Sequence, residues 1–248
     1  MDTYGLIGKK LTHSFSPDYF NRKFKKLGIN ARYLLYEIDD VQEIKNLIRD
    51  DQTLKGLNIT IPYKKSVFEI ADSIHPVAAQ VGSVNTLKID RTDAKIAISA
   101  FNTDVIGFEK TLLPLVSDQK DIVALVLGTG GAANAVEFVL NKLQIPFSFV
   151  SRNPESEKQI SYPGLTEEIL KSHKLIINTT PKGMFPDVDE SPAIPYQFID
   201  REHILYDLIY NPKETLFLKH GCEKGSVTLN GLKMLEIQAD ASWEIWNK

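Results

Sequence analysis

The chain has 248 residues, 43% of them apolar and 25% charged, with a mean hydropathy of -0.17. This is ordinary globular composition, so disorder is not indicated, and the length allows two compact domains. With 29 basic against 32 acidic residues the formal net charge is -3. There is no basic excess to neutralise a phosphate backbone, and nucleic acid is not an expected partner.

No apolar run approaches the ~18 residues of a membrane span. The start, Met1-Asp2-Thr3-Tyr4-Gly5, lacks the basic and apolar regions of a signal peptide, so the cytoplasm is the expected compartment. Cys222 is the single cysteine and is read as structural. His13, His75, His173, His203 and His220 are scattered without zinc-type spacing, so no metal is expected.

In chain order, an apolar start from Tyr4 to Gly8 predicts a strand, and Ser16-Pro17 opens a helical stretch that Gly28 closes. Residues 31–38 alternate loosely, 41–48 repeat apolar residues at helical spacing, and 56–62 form a short β-branched run. This alternation predicts an α/β layer with a mostly parallel sheet. Around residue 104 the organisation restarts with a helix over 105–113, a buried strand over 122–127, a helix over 132–143, and strands over 147–150 and 175–178. Residues 181–195 are proline-rich and aperiodic, which predicts a loop. At the end, Leu232, Leu235, Ala239, Trp243 and Trp246 fall on one face of a helix.

Directly after the 122–127 strand comes Gly128-Thr129-Gly130-Gly131-Ala132-Ala133, a match to G-x-G-x-x-G/A. Gly128 permits a tight turn, Gly130 lets backbone approach a pyrophosphate, Ala133 allows close helix–strand packing, and the helix N-terminus offers free N–H groups. The alternative is a plain strand-to-helix turn. The next strand ends Val150-Ser151-Arg152-Asn153, without the carboxylate that would accept bonds from the ribose 2′-hydroxyl of NAD. A guanidinium binds a 2′-phosphate instead, so Arg152 favours NADP, unless it is an ordinary solvated arginine.

In Asn58-Ile59-Thr60-Ile61-Pro62-Tyr63-Lys64, Asn58, Thr60 and Pro62 share one strand parity, which Lys64 continues unless the chain turns. Leu57, Ile59 and Ile61 share the other, so a polar face opposes a core face. The plain alternative is an edge strand with a solvated face.

These segments, with His13-Ser14-Phe15-Ser16-Pro17, Gly82-Ser83-Val84-Asn85-Thr86, Asn102-Thr103-Asp104, Asn178 to Met184, Tyr206 to Pro212 and Asn230 to Leu235 with Gln238, occur in order along nearly the whole chain. In this the chain resembles the shikimate dehydrogenase family. The resemblance implies an N-terminal α/β substrate domain, a Rossmann-type dinucleotide-binding domain, and reversible reduction of 3-dehydroshikimate to shikimate with NADPH in aromatic amino acid (chorismate) biosynthesis. It implies that Lys64 and Asp104 are catalytic, that Ser14 and Ser16 hold the substrate carboxylate, and that Asn85 and Asp104 hold ring hydroxyls. Asn58, Thr60, Tyr210 and Gln238 complete the substrate set. Gly128, Thr129, Gly130, Gly131, Ala132, Ser151, Arg152, Asn153, Thr179, Leu208 and Gly231 are the implied cofactor residues.

Ser16 before Pro17 also suits an N-cap, and Asn102 or Thr103 could cap the following helix. The family's Asn-Arg-Thr followed by a further basic residue stands here as Ser151-Arg152-Asn153-Pro154-Glu155-Ser156, and Lys158 is the candidate replacement. This departure keeps open an NAD-dependent quinate/shikimate dehydrogenase. A non-catalytic dinucleotide-sensing regulator is the reading from another class. The expected domains are 1–104 for substrate, 105–228 for NADP, and 229–248 as a C-terminal helix packing with the substrate domain. A monomer or homodimer is expected.

Overall fold

The computed structural model of the protein describes residues 1–12, 14–92 and 95–248. It divides into two compact units, one of Met1–Ile106 with Glu236–Lys248 and one of Gly107–Leu235. Both boundaries fall inside helices rather than at loops. The chain leaves the first unit within α4 (Asp104–Val116) and returns within α8 (Leu232–Trp246).

The first unit is a six-stranded sheet in the order β2-β1-β3-β5-β6-β4, made of β1 (Asp2–Gly8), β2 (Ala31–Glu37), β3 (Leu54–Ile59), β4 (Ser73–Ile74), β5 (Thr86–Arg91) and β6 (Ile96–Phe101). β1 pairs in parallel with β2 and β3, whereas β5 is antiparallel to both β3 and β6. The sheet is mostly parallel as expected, with β5 alone running against the other five strands. The alternating β5–β6 ribbon was not among the sequence-based expectations.

Each face of the sheet has its own core. Ile7, Leu57 and Ile59 pack with Ile44 and Ile48 of α2 (Glu43–Asp50), which are one helical turn apart. Tyr4 and Leu6 pack with Phe20 and Phe24 of α1 (Ser16–Leu27) and with Ala239 and Trp246 of α8. Gly28 ends α1 in the left-handed region at φ 65°, as a C-terminal glycine should. Ser16 is not the side-chain cap expected of it: Phe15 occupies the N-cap position and no side chain caps the helix. Asn102 does cap, its Oδ1 accepting from Val105 N at 3.2 Å.

The buried face of α8 differs from the apolar stripe expected. Leu232 and Leu235 are only half-buried, while Gln238, Ala239, Ala241, Ser242 and Trp246 are buried. Two polar residues one turn apart thus point into the first unit, because they have polar partners there. Trp246 Nε1 donates to Leu87 O at 2.9 Å. A Cβ on Gly56 would lie 2.2 Å from the same nitrogen, so this strand position has room for glycine alone.

The second unit is a wholly parallel sheet in the order β12-β11-β10-β7-β8-β9, made of β7 (Ala124–Leu127), β8 (Phe147–Ser151), β9 (Gln159–Ser161), β10 (Leu175–Asn178), β11 (Ile204–Asp207) and β12 (Val227–Leu229). β7, β10 and β11 are buried along their whole length, as strands covered on both faces must be. β7 starts two residues later than the apolar run at Ile122, which precedes the ladder. The strand order is that of a doubly wound dinucleotide fold, with its switch point between β7 and β10.

Candidate active site

β3 ends at Ile59, and residues 61–65 form a turn. The strand parity therefore does not extend to Pro62 and Lys64: Ile61, expected on the core face, is 76% exposed. Lys64 reaches its position through the turn instead, where its carbonyl accepts from Val84 N at 2.8 Å. Asn58 lies on a polar face, but a buried one. Its plain reading as part of a solvated edge fails because α8 covers this face with hydroxyl and amide groups.

Lys64 Nζ donates to Asp104 Oδ2 at 2.6 Å, both side chains being mostly buried. Asn85 Nδ2 donates to Asp104 Oδ1 at 2.9 Å and lies 3.3 Å from Gln238 Oε1. Thr103 fixes the sense of that amide, its backbone N–H donating to Asn85 Oδ1 at 2.7 Å. Behind them Thr86 Oγ1 meets Asn85 Oδ1 and Ser242 Oγ, and Asn58 Nδ2 donates to Ser242 Oγ at 2.9 Å. Tyr33 Oη donates to Asn58 Oδ1 at 2.8 Å and also bonds with Ser16.

The structure thus joins Lys64, Asp104, Asn85, Gln238, Asn58 and Ser16 of the expected site in one hydrogen-bonded set. Ser14 stands outside it, its hydroxyl donating to Leu11 O at 2.9 Å. Thr60 is half-buried beside Gly8. Tyr210 belongs to the second unit. His13, from the first quoted motif, lies outside the described residues. Tyr33 and Ser242 went unnoticed in the sequence because each sits in an apolar segment with no motif spacing. Thr86 lay inside a quoted motif without a role, and Thr103 was read only as a candidate helix cap.

In the second unit the expected cofactor residues line the C-terminal edge of the parallel strands. Gly128 follows β7 with φ 98°, a conformation that requires glycine, and a Cβ there would lie 2.9 Å from Thr180 Cγ2. Thr179 Oγ1 donates to Leu127 O at 2.7 Å, tying the ends of β7 and β10 together. Leu208 N donates to Asn178 O at 3.1 Å, and a Cβ on Gly231 would lie 2.0 Å from Leu208 O. α5 (Gly131–Lys142) starts from Gly130 without a side-chain cap, while Ala133 is buried against the sheet. Thr129, Gly130, Gly131 and Ala132 are exposed, and a Cβ on either glycine would meet nothing within 4 Å. Free N–H groups beside open space fit a pyrophosphate.

Ser151 and Asn153 bond to each other at the end of β8, Asn153 N donating to Ser151 Oγ at 3.2 Å. Between them Arg152 is exposed and in no ion pair among the described residues. Lys158 is set apart from Arg152 along the strands. Phe149 pairs with Gln159, so Lys158 lies level with Ser148, four residues short of Arg152. At ~3.3 Å per residue that is roughly 13 Å toward the other edge of the sheet.

Behind the edge, Asp207 is fully buried at the end of β11. Its Oδ1 accepts from Asn178 Nδ2 and Ile209 N, each at 3.0 Å, and its Oδ2 accepts from Thr215 Oγ1 at 2.6 Å. Burial pushes this carboxyl up to about 6, against the pull of those three hydrogen bonds. Asn178 passes the contact on, its Oδ1 accepting from Thr180 N at 3.0 Å. Among the described residues no group of His, Cys, Asp and Glu is placed to hold a metal, and no helix is long and apolar enough to cross a membrane.

A glycine turn and an uncapped helix at the switch point of a six-stranded parallel sheet define the Rossmann class of dinucleotide-binding proteins, here combined with a second α/β unit built around a lysine–carboxylate pair. A model of the shikimate dehydrogenase substrate binding domain matches residues 6–87. The shikimate dehydrogenase (NADP(+)) of Methanococcus vannielii is 37% identical over 262 residues, covering 98% of this chain and 90% of that protein. The enzyme of the same name from Clostridium beijerinckii is 38% identical over 100% of this chain and 93% of its own length. The crystal structure of shikimate dehydrogenase from Aquifex aeolicus matches with a TM-score of 0.88 at 33% identity, covering 100% of this chain and 92% of that one. The chain belongs to the shikimate dehydrogenase family.

Proposed function

We propose that the protein is an NADP-dependent shikimate dehydrogenase, which reversibly reduces 3-dehydroshikimate to shikimate in the chorismate route to aromatic amino acids. The observation that carries this reading is the Lys64–Asp104–Asn85 constellation, held inside a chain that matches shikimate dehydrogenases over nearly its full length. The first unit takes the substrate and the second the dinucleotide. A small polyhydroxy acid needs several fixed hydrogen-bond partners, which the amides, hydroxyls and charges of this set supply.

When bound, the nicotinamide supplies the hydride. As hydride arrives, negative charge develops on the substrate oxygen, and the Lys64 ammonium stabilises that charge and offers a proton to it. Asp104 holds Lys64 through one carboxylate oxygen and takes the Asn85 amide on the other, so both side chains face the substrate already oriented. Ser14 and Ser16 receive the carboxylate, with Thr60 and Gln238 at the ring. Gly128 to Ala132, Thr179, Leu208 and Gly231 hold the dinucleotide, and Ser151, Arg152 and Asn153 its 2′-phosphate.

Arg152 stands without the second basic residue of the family's motif in Ser151-Arg152-Asn153-Pro154-Glu155-Ser156, which favours a looser discrimination against NAD than the full motif provides. Purified protein assayed with shikimate or quinate, each with NADP or NAD, tests the proposal. Shikimate with NADP should be the fastest pair. Absence of nicotinamide reduction with all four pairs, in a folded sample, would put the regulator reading ahead.

A further inference from the structure

Beyond the pair that does the chemistry, the first unit contains a buried polar chain that the reaction itself does not call for. Ser16, Tyr33, Asn58, Thr86, Asn85 and Asp104 follow one another by hydrogen bonds, and all but Asp104 are buried. We propose that Thr86 is a positioning residue, which orients Asn85 and thereby Asp104 as the last hydroxyl of this chain. The inference rests on the assignment of Lys64 and Asp104 to catalysis.

The direction of the bonds can be worked out from donor count. Tyr33 has one proton and gives it to Asn58 Oδ1, so Ser16 must donate to Tyr33. With its oxygen so engaged, Asn58 presents Nδ2 to Ser242 Oγ at 2.9 Å and to Thr86 Oγ1 at 3.2 Å. Asn85 Oδ1 can only accept, so the single proton of Thr86 goes there, at 3.0 Å. The single proton of Ser242 goes to Gln238 O at 3.0 Å, which can only accept, so Asn58 Nδ2 is the donor that reaches Thr86 Oγ1, at 3.2 Å. With Oδ1 of Asn85 held by Thr86 and by Thr103 N, its Nδ2 faces Asp104 Oδ1. Every donor along the path points toward the carboxylate, and bonds aligned in this way polarise one another. The path starts at Ser16, one of the residues assigned to the substrate carboxylate, and ends on the carboxylate that holds Lys64.

The test is Thr86→Val, which keeps the shape and removes the hydroxyl. Asn58 and Ser242 retain other partners, Asn85 O and Gln238 O, so the fold should survive. In steady-state oxidation of shikimate, kcat should fall roughly 2- to 13-fold, the worth of one neutral hydrogen bond, with KM close to that of the parent. In a Asp104→Ala background the same substitution should cost less than about twofold, because Thr86 acts through Asp104. General structural damage would lower both rates alike. Tyr33→Phe, which keeps the ring stacked on Phe20 at 4.5 Å, should lower kcat in the same direction and decides the matter if Thr86→Val does not fold. An active parent with kcat unchanged in the variants, a KM rising in step with the loss, or an equal loss in the Asp104→Ala background overturns the inference alone. A parent inactive on shikimate sinks the functional reading as well.

Discussion

Lys64 and Asp104, 40 positions apart in the chain, meet at 2.6 Å because the turn after β3 and the first residue of α4 converge. The pair is mostly shielded from water, so the charge on each is directed at its partner and at whatever the site binds. Lys65, next in sequence, is exposed and makes no ion pair among the described residues.

From this contrast follows the first expectation. Charge on the substrate oxygen appears only as hydride moves, so Lys64→Ala should lower kcat by roughly 10²–10⁴-fold with a much smaller change in affinity. Ser14→Ala should chiefly raise KM, since a carboxylate has the same charge before and during the reaction. Lys65→Ala should leave turnover near the parent value. Steady-state kinetics of the three variants would refute the assignment if Lys65→Ala proved as damaging as Lys64→Ala.

Arg152 is the one cation of the Ser151-Arg152-Asn153 segment, and only NADPH gives it a phosphate to bind. Arg152→Ala should weaken NADPH binding by the equivalent of about 1.5–3 kcal/mol, with little effect on NADH. Fluorescence titration with each cofactor checks this. Equal losses would mean that Arg152 does not read the 2′-phosphate.

Asp207 gives a pH dependence of stability. Its folded carboxyl titrates at about 6 rather than 3.8, because burial outweighs the bonds from Thr215, Ile209 and Asn178. The folded state thus holds the proton more tightly than the unfolded one. The resulting stabilisation is complete below about pH 4 and is lost as pH rises through about 6. Asp207→Asn lacks this titration, so its stability relative to the parent should climb between pH 4 and pH 7, by as much as about 3 kcal/mol. Urea unfolding at intervals of one pH unit measures the difference. A gap that stays constant with pH would show that Asp207 does not titrate in this range.

Much of this architecture is legible from residue order. The β7–Gly128–α5 unit announces itself because a doubly covered strand is continuously apolar and the turn needs glycine at φ 98°. The contact of Lys64 with Asp104 does not, since strand parity ends at Ile59 and only the turn decides where Lys64 goes. Ser242 was hidden for a different reason. Helical periodicity marks apolar faces, and here α8 buries a polar stripe, Gln238 and Ser242, whose partners come from β3, β5 and the start of α4. Nor does sequence spacing place Lys158: six residues beyond Arg152 in the chain, it lies just before β9, level with Ser148 of β8.

In the proposed reaction hydride passes from NADPH to the carbonyl carbon of 3-dehydroshikimate. NADPH carrying deuterium at the transferred position, incubated with the protein and 3-dehydroshikimate, tests this directly by NMR of the product. The expected product is shikimate with one deuterium on the carbon that bears the new hydroxyl, formed as NADPH is consumed. Unreacted NADPH, or a product without deuterium at that carbon, would contradict it.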